Sequence, residues 1–323
     1  MRTLVTGARG KVGVAAVTAL VAAGHDVTAS DLAPPRFDRS ASGAPPIDTV
    51  AYVQADLTAP GDVYALVGGF SAGEGPKVGR YDAVVHAGAI PAPGGHAPAT
   101  VFTNNLGGLF NVVEACIRWG VPRLVNISSE TVTGFHFAER PWYPEYLPLD
   151  EEHRRAPQDP YGLSKHFGEQ LCDAAVQRSD LSVLSLRPTW VQNAASYRTN
   201  LGPVVADPAA PSLTGWSYVD ADDLADAIVL AAESDVPGHE VLYIAAADTV
   251  GGRDLHASWR AAYPDAPTEL RPVSRPDASG IDCSKAERLL GWRPKRGWRD
   301  HLNADGTAKS SGFPDAGRPD RHG

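Results

Sequence analysis

Tyr161 and Lys165 stand four residues apart in the stretch Asp159-Pro160-Tyr161-Gly162-Leu163-Ser164-Lys165-His166-Phe167-Gly168-Glu169. On a helix, positions i and i+4 share a face, so the Lys165 ammonium can approach the Tyr161 phenol and stabilise its phenolate. A tyrosine whose pKa is lowered in this way is a usable base. Taken alone, such a pair is equally an accident of two common residues on a surface. A second segment, Asn126-Ile127-Ser128-Ser129-Glu130-Thr131, offers what proton chemistry at an alcohol needs. There Ser129 could hold a substrate oxygen while Tyr161 exchanges its proton.

Near the amino terminus, Leu4-Val5-Thr6-Gly7-Ala8-Arg9-Gly10-Lys11-Val12-Gly13 runs from an apolar segment into a helical pattern over Val14 to Ala23. Glycines at 7, 10 and 13 permit a tight turn, close approach of backbone to a pyrophosphate, and close packing of helix on sheet. Asp31 follows at the end of the second β-rich segment, where a carboxylate accepts hydrogen bonds from an adenosine ribose and repels a 2′-phosphate. That favours NAD, with NADP not excluded, because Arg9 and Lys11 could stand near a 2′-phosphate or be solvated cations. Asp56-Leu57 ends the third segment, with Asp56 either reaching an adenine amine or capping a helix. His86-Ala87-Gly88 ends the fourth with small residues that let a cofactor lie on the backbone, His86 itself reading as packing.

These residues need strands and helices to bring them together. Short β-rich segments at Thr3 to Thr6, Asp26 to Ser30, Val50 to Gln54, Ala83 to His86, Arg123 to Ile127, Ser182 to Leu186 and Val241 to Ala245 alternate with helical patterns. They are too apolar to leave one face wet, which predicts a Rossmann-type, doubly wound α/β fold with a parallel sheet between helical layers. In such a sheet the carboxyl ends of the strands line the ligand crevice, so Ser128 and Ser129 face the space beside the Tyr161 helix. Ala33 to Asp48 and Gly68 to Gly79 read as exposed connections, and Phe135 to Pro160, with Trp142, Tyr143 and Tyr146, as an aromatic lid. We expect residues 1–188 and about 218–248 to bind the cofactor, 189–217 and 249–300 to bind the substrate, and 301–323 to be a disordered tail.

The chain of 323 residues is 43% hydrophobic, enough for a large core, and 29 basic residues against 38 acidic ones leave no cluster able to follow a phosphate backbone. Nucleic acid is not expected as a partner. No apolar run reaches membrane-spanning length, and Thr6-Gly7 interrupts the first one before a signal-peptide core develops. Cys116, Cys172 and Cys283 are odd in number and lack metal-ligand spacing, which reads as reduced structural thiols in a cytoplasmic protein with no metal site.

With these residues together, the chain resembles an extended short-chain dehydrogenase/reductase of the NAD-dependent epimerase/dehydratase group over roughly residues 1–300. The resemblance rests on Thr6-Gly7-x-x-Gly10-x-x-Gly13, Asp31, Asp56-Leu57, Asn105, Ser128-Ser129, Tyr161-x-x-x-Lys165 and Arg187-Pro188. It implies a catalytic set of Ser129, Tyr161 and Lys165, with Asn105 supporting the cofactor-side helix. It also implies a homodimer packed through the Tyr161 helix and the helix from Asn105 to Trp119, where Phe110, Val113, Phe167 and Leu171 are apolar. The segment Arg187-Pro188-Thr189-Trp190-Val191-Gln192-Asn193-Ala194-Ala195-Ser196-Tyr197-Arg198 departs from nucleotide-sugar members and is similar to uronate dehydrogenases. In that resemblance Arg198 matches an arginine that grips a sugar carboxylate, and Thr131 stands where a histidine occurs. Three functions follow as alternatives: an oxidoreductase moving hydride between NAD and a secondary alcohol of a sugar or related polar molecule, an epimerase or dehydratase with retained NAD, and a non-catalytic NAD sensor.

Overall fold

The protein is described by a computed structural model covering residues 1–34, 46–68, 81–140 and 142–309. Seven strands form the central sheet: β1 (Arg2–Thr6), β2 (Asp26–Asp31), β3 (Ala51–Gln54), β4 (Ala83–His86), β5 (Arg123–Ile127), β6 (Ser182–Pro188) and β7 (His239–Ile244). Their order is β7-β6-β5-β4-β1-β2-β3, every pairing is parallel, and each strand begins and ends within two residues of the segment expected from sequence. Strand order reverses where β1 lies beside β4, and a ligand crevice opens there at the strands' carboxyl ends.

Period-2 alternation sorts the strand residues into two cores. Leu4, Val84, Leu124 and Val183 pack with α2 (Pro60–Gly68), α3 (Pro98–Trp119) and α4 (Pro160–Val176). Their neighbours Val5, Val85, Val125 and Leu184 pack with α1 (Lys11–Ala22) and α5 (Ala221–Glu233) on the other face. This is the doubly wound fold read from the sequence. Two helices start earlier than expected. Gly10 caps α1, so Lys11 to Gly13 are already helical, and Pro98 opens α3 seven residues before Asn105 because proline's fixed φ and missing N–H suit a first helical turn.

A third core lies beyond the sheet's carboxyl edge. Phe135, Leu147, Tyr197, Trp216, Tyr218, Trp259 and Trp298 meet there, so the segment 135–160 and the chain after Pro188 share one apolar interior. The aromatic residues of the expected lid mostly face that interior: Phe135 lies 4.5 Å from Trp142, whose Nε1–H donates to the Gly134 carbonyl. Tyr146–Leu147 pairs with Glu269–Leu270, and Tyr143 stands 41% exposed against Tyr263.

The segment from His301 to Lys309, expected to be part of a disordered tail, is ordered. Leu302 is 2% exposed and bridges to Ala308, which orders the chain through residue 309. The apolar side chains Trp298 and Leu302, at the edge of a polar stretch, provide the burial that holds it. Residues 310–323, most of the 33–48 connection and nearly all of 68–79 lie outside the described residues. Among those described, no helix is long and apolar enough to cross a membrane, and no group of histidine, cysteine and carboxylate side chains could hold a metal ion.

Candidate active site

The three glycines of the first turn do three different jobs. Gly7 has φ +67°, and a Cβ there would fall 2.4 Å from the backbone nitrogen of Gly88, where β1 and β4 end side by side. Gly13 seats α1 on the turn, since a Cβ would lie 2.1 Å from the Gly7 carbonyl oxygen. Gly10 meets only that same oxygen at 3.3 Å, so it leaves the amino end of α1 bare and its N–H groups open to an anion. Val12 is half-buried behind it. Leu57 covers Gly88 from one side, and Ala87 donates its N–H to the Thr6 carbonyl. The result is a backbone floor that admits a flat ligand against the strand ends.

Asp31 closes the floor at the β2 end, its carboxylate accepting from the Arg9 and Ala33 N–H groups at 3.0 and 3.2 Å. The Arg9 side chain does not stand free in water. Its Nε donates to the Tyr52 hydroxyl at 3.2 Å, its guanidinium lies 5.0 Å over that ring, and Asp48 is 3.5 Å away. Lys11 reaches across to the other half of the molecule, donating to the Val191 carbonyl at 2.9 Å and to Ser196 Oγ at 3.4 Å. Asp56 uses Oδ1 to hold the Thr58 N–H and hydroxyl in the turn that precedes α2. His86 is buried, bonded to Thr6 Oγ1 at 3.0 Å, and held neutral with its pKa pushed down to about 3 by burial and the nearby Lys165 charge. It is packing, and of its atoms the backbone alone borders the floor.

Ser129, Tyr161 and Lys165 converge at the carboxyl end of β5. Asp159 caps α4 by accepting from the Tyr161 and Gly162 N–H groups at 3.0 and 2.9 Å, and Pro160 takes the first helical position, which fixes where Tyr161 points. Ser129 Oγ lies beside the Tyr161 phenol, where it favours the phenolate, and accepts from the Thr131 N–H and Oγ1 at 3.2 and 2.9 Å. Lys165 donates to the Ile127 carbonyl at 2.7 Å with its ammonium 5.7 Å from the centre of the Tyr161 ring. Asn105 holds the surrounding loop, bonding Ile90 through both its carbonyl and its amide, the latter also reaching Ser164 on α4.

One expectation is corrected here. Burial pushes the Tyr161 phenol up to about 12, with Glu130 and Asp159 adding to it and the Ser129 hydrogen bond opposing. Lys165 meanwhile is pushed down to about 8 by its own burial, against the pull of Glu169. Desolvation therefore outweighs the lysine in the protein by itself, and the phenol is not acidified. Ser128 also departs from its expected place on the cofactor side: its hydroxyl donates to Glu169 Oε1 at 2.7 Å, away from the crevice.

That bond belongs to a buried clamp that the sequence reading passed over. Arg187 grips Glu169 through the Nε and Nη2 edge of its guanidinium, at 2.8 and 2.7 Å, tying β6 to α4, and Pro188 follows at the strand's end. Burial alone would raise the Glu169 pKa, but Arg187, Ser128 and Arg155 together hold it below the usual carboxylate range. Glu169 lies four residues after Lys165, on the same helix face, and that spacing was the available signal. Glu130 was also missed: it is 6% exposed with Oε2 unbonded among the described residues, and burial next to Asp159 pushes it up to about 8.

Arg198 sits on a π-helical turn, Tyr197–Leu201. It is exposed and makes no ion pair or hydrogen bond among the described residues. Thr131 is buried against Ser129.

The model of the NAD dependent epimerase/dehydratase family matches residues 3–245. The chain belongs to this family. L-arabinose 1-dehydrogenase (NAD(P)(+)) of Haloferax volcanii is 29% identical over 91% of this chain and 96% of its own length. UDP-glucose 4-epimerase of Mycolicibacterium smegmatis is 28% identical over 97% of this chain and 98% of its own. Among solved structures, a mutated uronate dehydrogenase aligns with TM-score 0.59 and 25% identity, covering 93% of this chain and 84% of the other. For a member of the epimerase/dehydratase family, the Gly7 to Gly13 turn and the Ser129, Tyr161 and Lys165 cluster lie in the matched span, as does Arg198.

Proposed function

We propose that this protein is an NAD-dependent oxidoreductase acting on a secondary alcohol of a sugar or sugar acid. The observation that carries the reading is the convergence of Ser129, Tyr161 and Lys165 at the end of β5, with Ser129 placed to favour the phenolate and the Lys165 ammonium 5.7 Å from the centre of the ring. A dinucleotide fits the floor. Gly10 leaves the helix end bare for a pyrophosphate, Gly7 and Gly88 leave no side chain in the way, and Asp31 presents a carboxylate to a ribose. When bound, NAD supplies the acceptor for the hydride that leaves the alcohol carbon. Ser129 orients the alcohol oxygen, Tyr161 takes its proton, and Lys165 stabilises the phenolate that begins the cycle. In this reading Gly7, Gly10, Val12, Gly13, Asp31, Asp56, Leu57, Ala87, Gly88, Asn105 and Pro188 line or support the cofactor site. Arg9 and Lys11 edge it, Thr131 and Ser129 meet the substrate, and Arg198 binds its carboxylate. The cofactor part is then 1–188 with 218–248, and the substrate part is 189–217 with 249–300.

The test is NADH absorbance with purified protein, NAD and a panel of uronates, neutral aldoses and simple secondary alcohols, repeated with NADP. NADH is expected with a sugar class, and with uronates if Arg198 grips the carboxylate. Silence across the panel with a copurifying nucleotide would favour the second reading, a retained-cofactor epimerase. The near-full-length likeness to UDP-glucose 4-epimerase supports that reading. A protein that binds NAD but neither oxidises nor epimerises any sugar would fit a sensor.

A homodimer belongs to the same proposal. Phe110 and Phe167 stand 49% and 42% exposed around a groove of about 700 Å³ between α3 and α4, lined also by Phe102, Leu106 and Leu171. A second copy of those two helices would cover it. The three free thiols, Cys116, Cys172 and Cys283, fit a reducing, cytoplasmic setting.

A further inference from the structure

The turn that carries Arg198 is held from two sides. On the sheet side, Lys11 bonds the Val191 carbonyl and Ser196 Oγ. On the outer side lies the segment after Gly297, which from residue 301 on was expected to be a disordered tail. Trp298 is buried and its N–H donates to the Tyr218 hydroxyl at 2.8 Å, and that hydroxyl donates to Asp248 at 2.7 Å. One turn on, the His301 imidazole stacks on the Tyr197 ring, with centroids 3.9 Å apart and planes 16° from parallel. The same tyrosine donates to Asp220 at 2.9 Å, and His301 Nε2 stands 3.6 Å from that carboxylate.

The chain then folds back. Leu302 is buried, Asn303 and Thr307 close a turn, and Lys309 returns its N–H to the His301 carbonyl at 2.8 Å. At the tip of this return, Gly306 presses on Gly202, the residue that ends the π-helical turn. A Cβ on Gly202 would lie 2.7 Å from the Gly306 oxygen, and one on Gly306 would lie 2.2 Å from the Gly202 oxygen. Tyr197 and Gly202 bracket Arg198, and each is met by the C-terminal segment. A π-turn lacks the closely packed hydrogen bonds of an α-helix, so its shape depends on what packs against it.

The geometry points to residues 298–309 as a strap that fixes the turn 197–202 and so places the Arg198 guanidinium for an anionic sugar, with His301 as the positioning residue. This rests on the reading of Arg198 as the carboxylate-binding group. His301 touches neither cofactor nor substrate in this scheme. It acts through the stacked Tyr197 ring, and none of its contacts is with Ser129, Tyr161 or Lys165.

Two readouts test it on the full chain, in His301→Ala and His301→Phe. By amide hydrogen exchange, His301→Ala is expected to speed exchange over residues 198–206 about tenfold while α4 stays protected, and His301→Phe, which keeps the stacking, to restore protection. By kinetics, His301→Ala should raise KM for a hexuronate about tenfold with kcat, KM for NAD and KM for the neutral aldose within about twofold, and the Phe variant should recover it. In an Arg198→Ala background the loss should vanish, because the strap acts through that arginine. Unchanged exchange at 198–206 overturns the strap. Faster exchange with an unchanged hexuronate KM overturns its hold on Arg198. If the wild-type protein oxidises no hexuronate, the carboxylate reading fails by itself, and the exchange experiment still decides whether the strap holds the turn.

Discussion

Lys165 carries its ammonium 5.7 Å from the centre of the Tyr161 ring and donates a hydrogen bond to the Ile127 carbonyl instead of to the phenol oxygen. The phenol turns to Ser129. The protein thus presents a protonated tyrosine beside a serine, with a lysine one step back, and the acidity needed for base catalysis has to come with the positive charge of the oxidised cofactor.

Because the phenol sits at about 12 in the protein by itself and gains its phenolate with rising pH, kcat/KM for alcohol oxidation should climb as pH rises toward that value. Tyr161→Phe should lose about 10³-fold in kcat with NAD affinity retained, measured by NADH absorbance and by fluorescence titration. Lys165→Met should lose turnover as well. A flat pH profile, or a Tyr161→Phe variant with near-normal kcat, would remove the tyrosine from its role.

Glu130 makes the native protein lose stability as pH rises. Its carboxyl ionises near 4.5 when unfolded and at about 8 when buried, so between those values the folded state binds a proton that the unfolded state has released. The stability is present below about 4.5, declines through the window and is gone above about 8. Glu130→Gln should therefore match the wild type near pH 5 and exceed its Tm by a few degrees near pH 9, read by calorimetry. Equal Tm differences at both pH values would contradict the assignment.

Asp31 and Arg9 divide the choice of cofactor. Asp31→Ser should weaken kcat/KM for NAD about tenfold and improve it for NADP, since a carboxylate next to a 2′-phosphate is repulsive. Adding Arg9→Ala should then remove the NADP gain, because Arg9, held against Tyr52 and Asp48, is the cation nearest that edge. Steady-state kinetics with both nucleotides would show it, and an unchanged NADP rate in the double variant would clear Arg9 of the role.

Phe110→Glu with Phe167→Glu should convert a dimer into a monomer by sedimentation velocity without unfolding, since both side chains are already partly wet. A wild-type monomer would dismiss the α3–α4 interface.

The sheet was legible because its central strands alternate apolar residues on two buried faces, as at Leu4 and Val5 or Leu124 and Val125, and few other patterns do so. The glycine turn and the Tyr161 to Lys165 pair were legible because their spacing maps directly onto a turn and a helix face. The direction of the Tyr161 shift was not legible. It depends on how much water burial removes, and spacing carries no information about that. The Glu169 clamp needs Arg187, which comes from another strand, and the order through residue 309 depends on Tyr197 and Gly202, a hundred residues upstream. Local composition made that segment look like a tail.

Gly7, Gly13 and Gly88 meet backbone on every side that a Cβ would occupy, or a fixed Leu57, whereas Arg198 stands in the open on a short turn. Such a molecule has an uneven mutational landscape. The cofactor floor tolerates almost no change, whereas on the turn the exposed Arg198 and Thr199 are free to vary while Tyr197, Leu201 and Gly202 are held by burial and by Gly306. On the function proposed above, new sugar preferences would arise on this scaffold at those exposed positions, with the proton-transfer residues left in place.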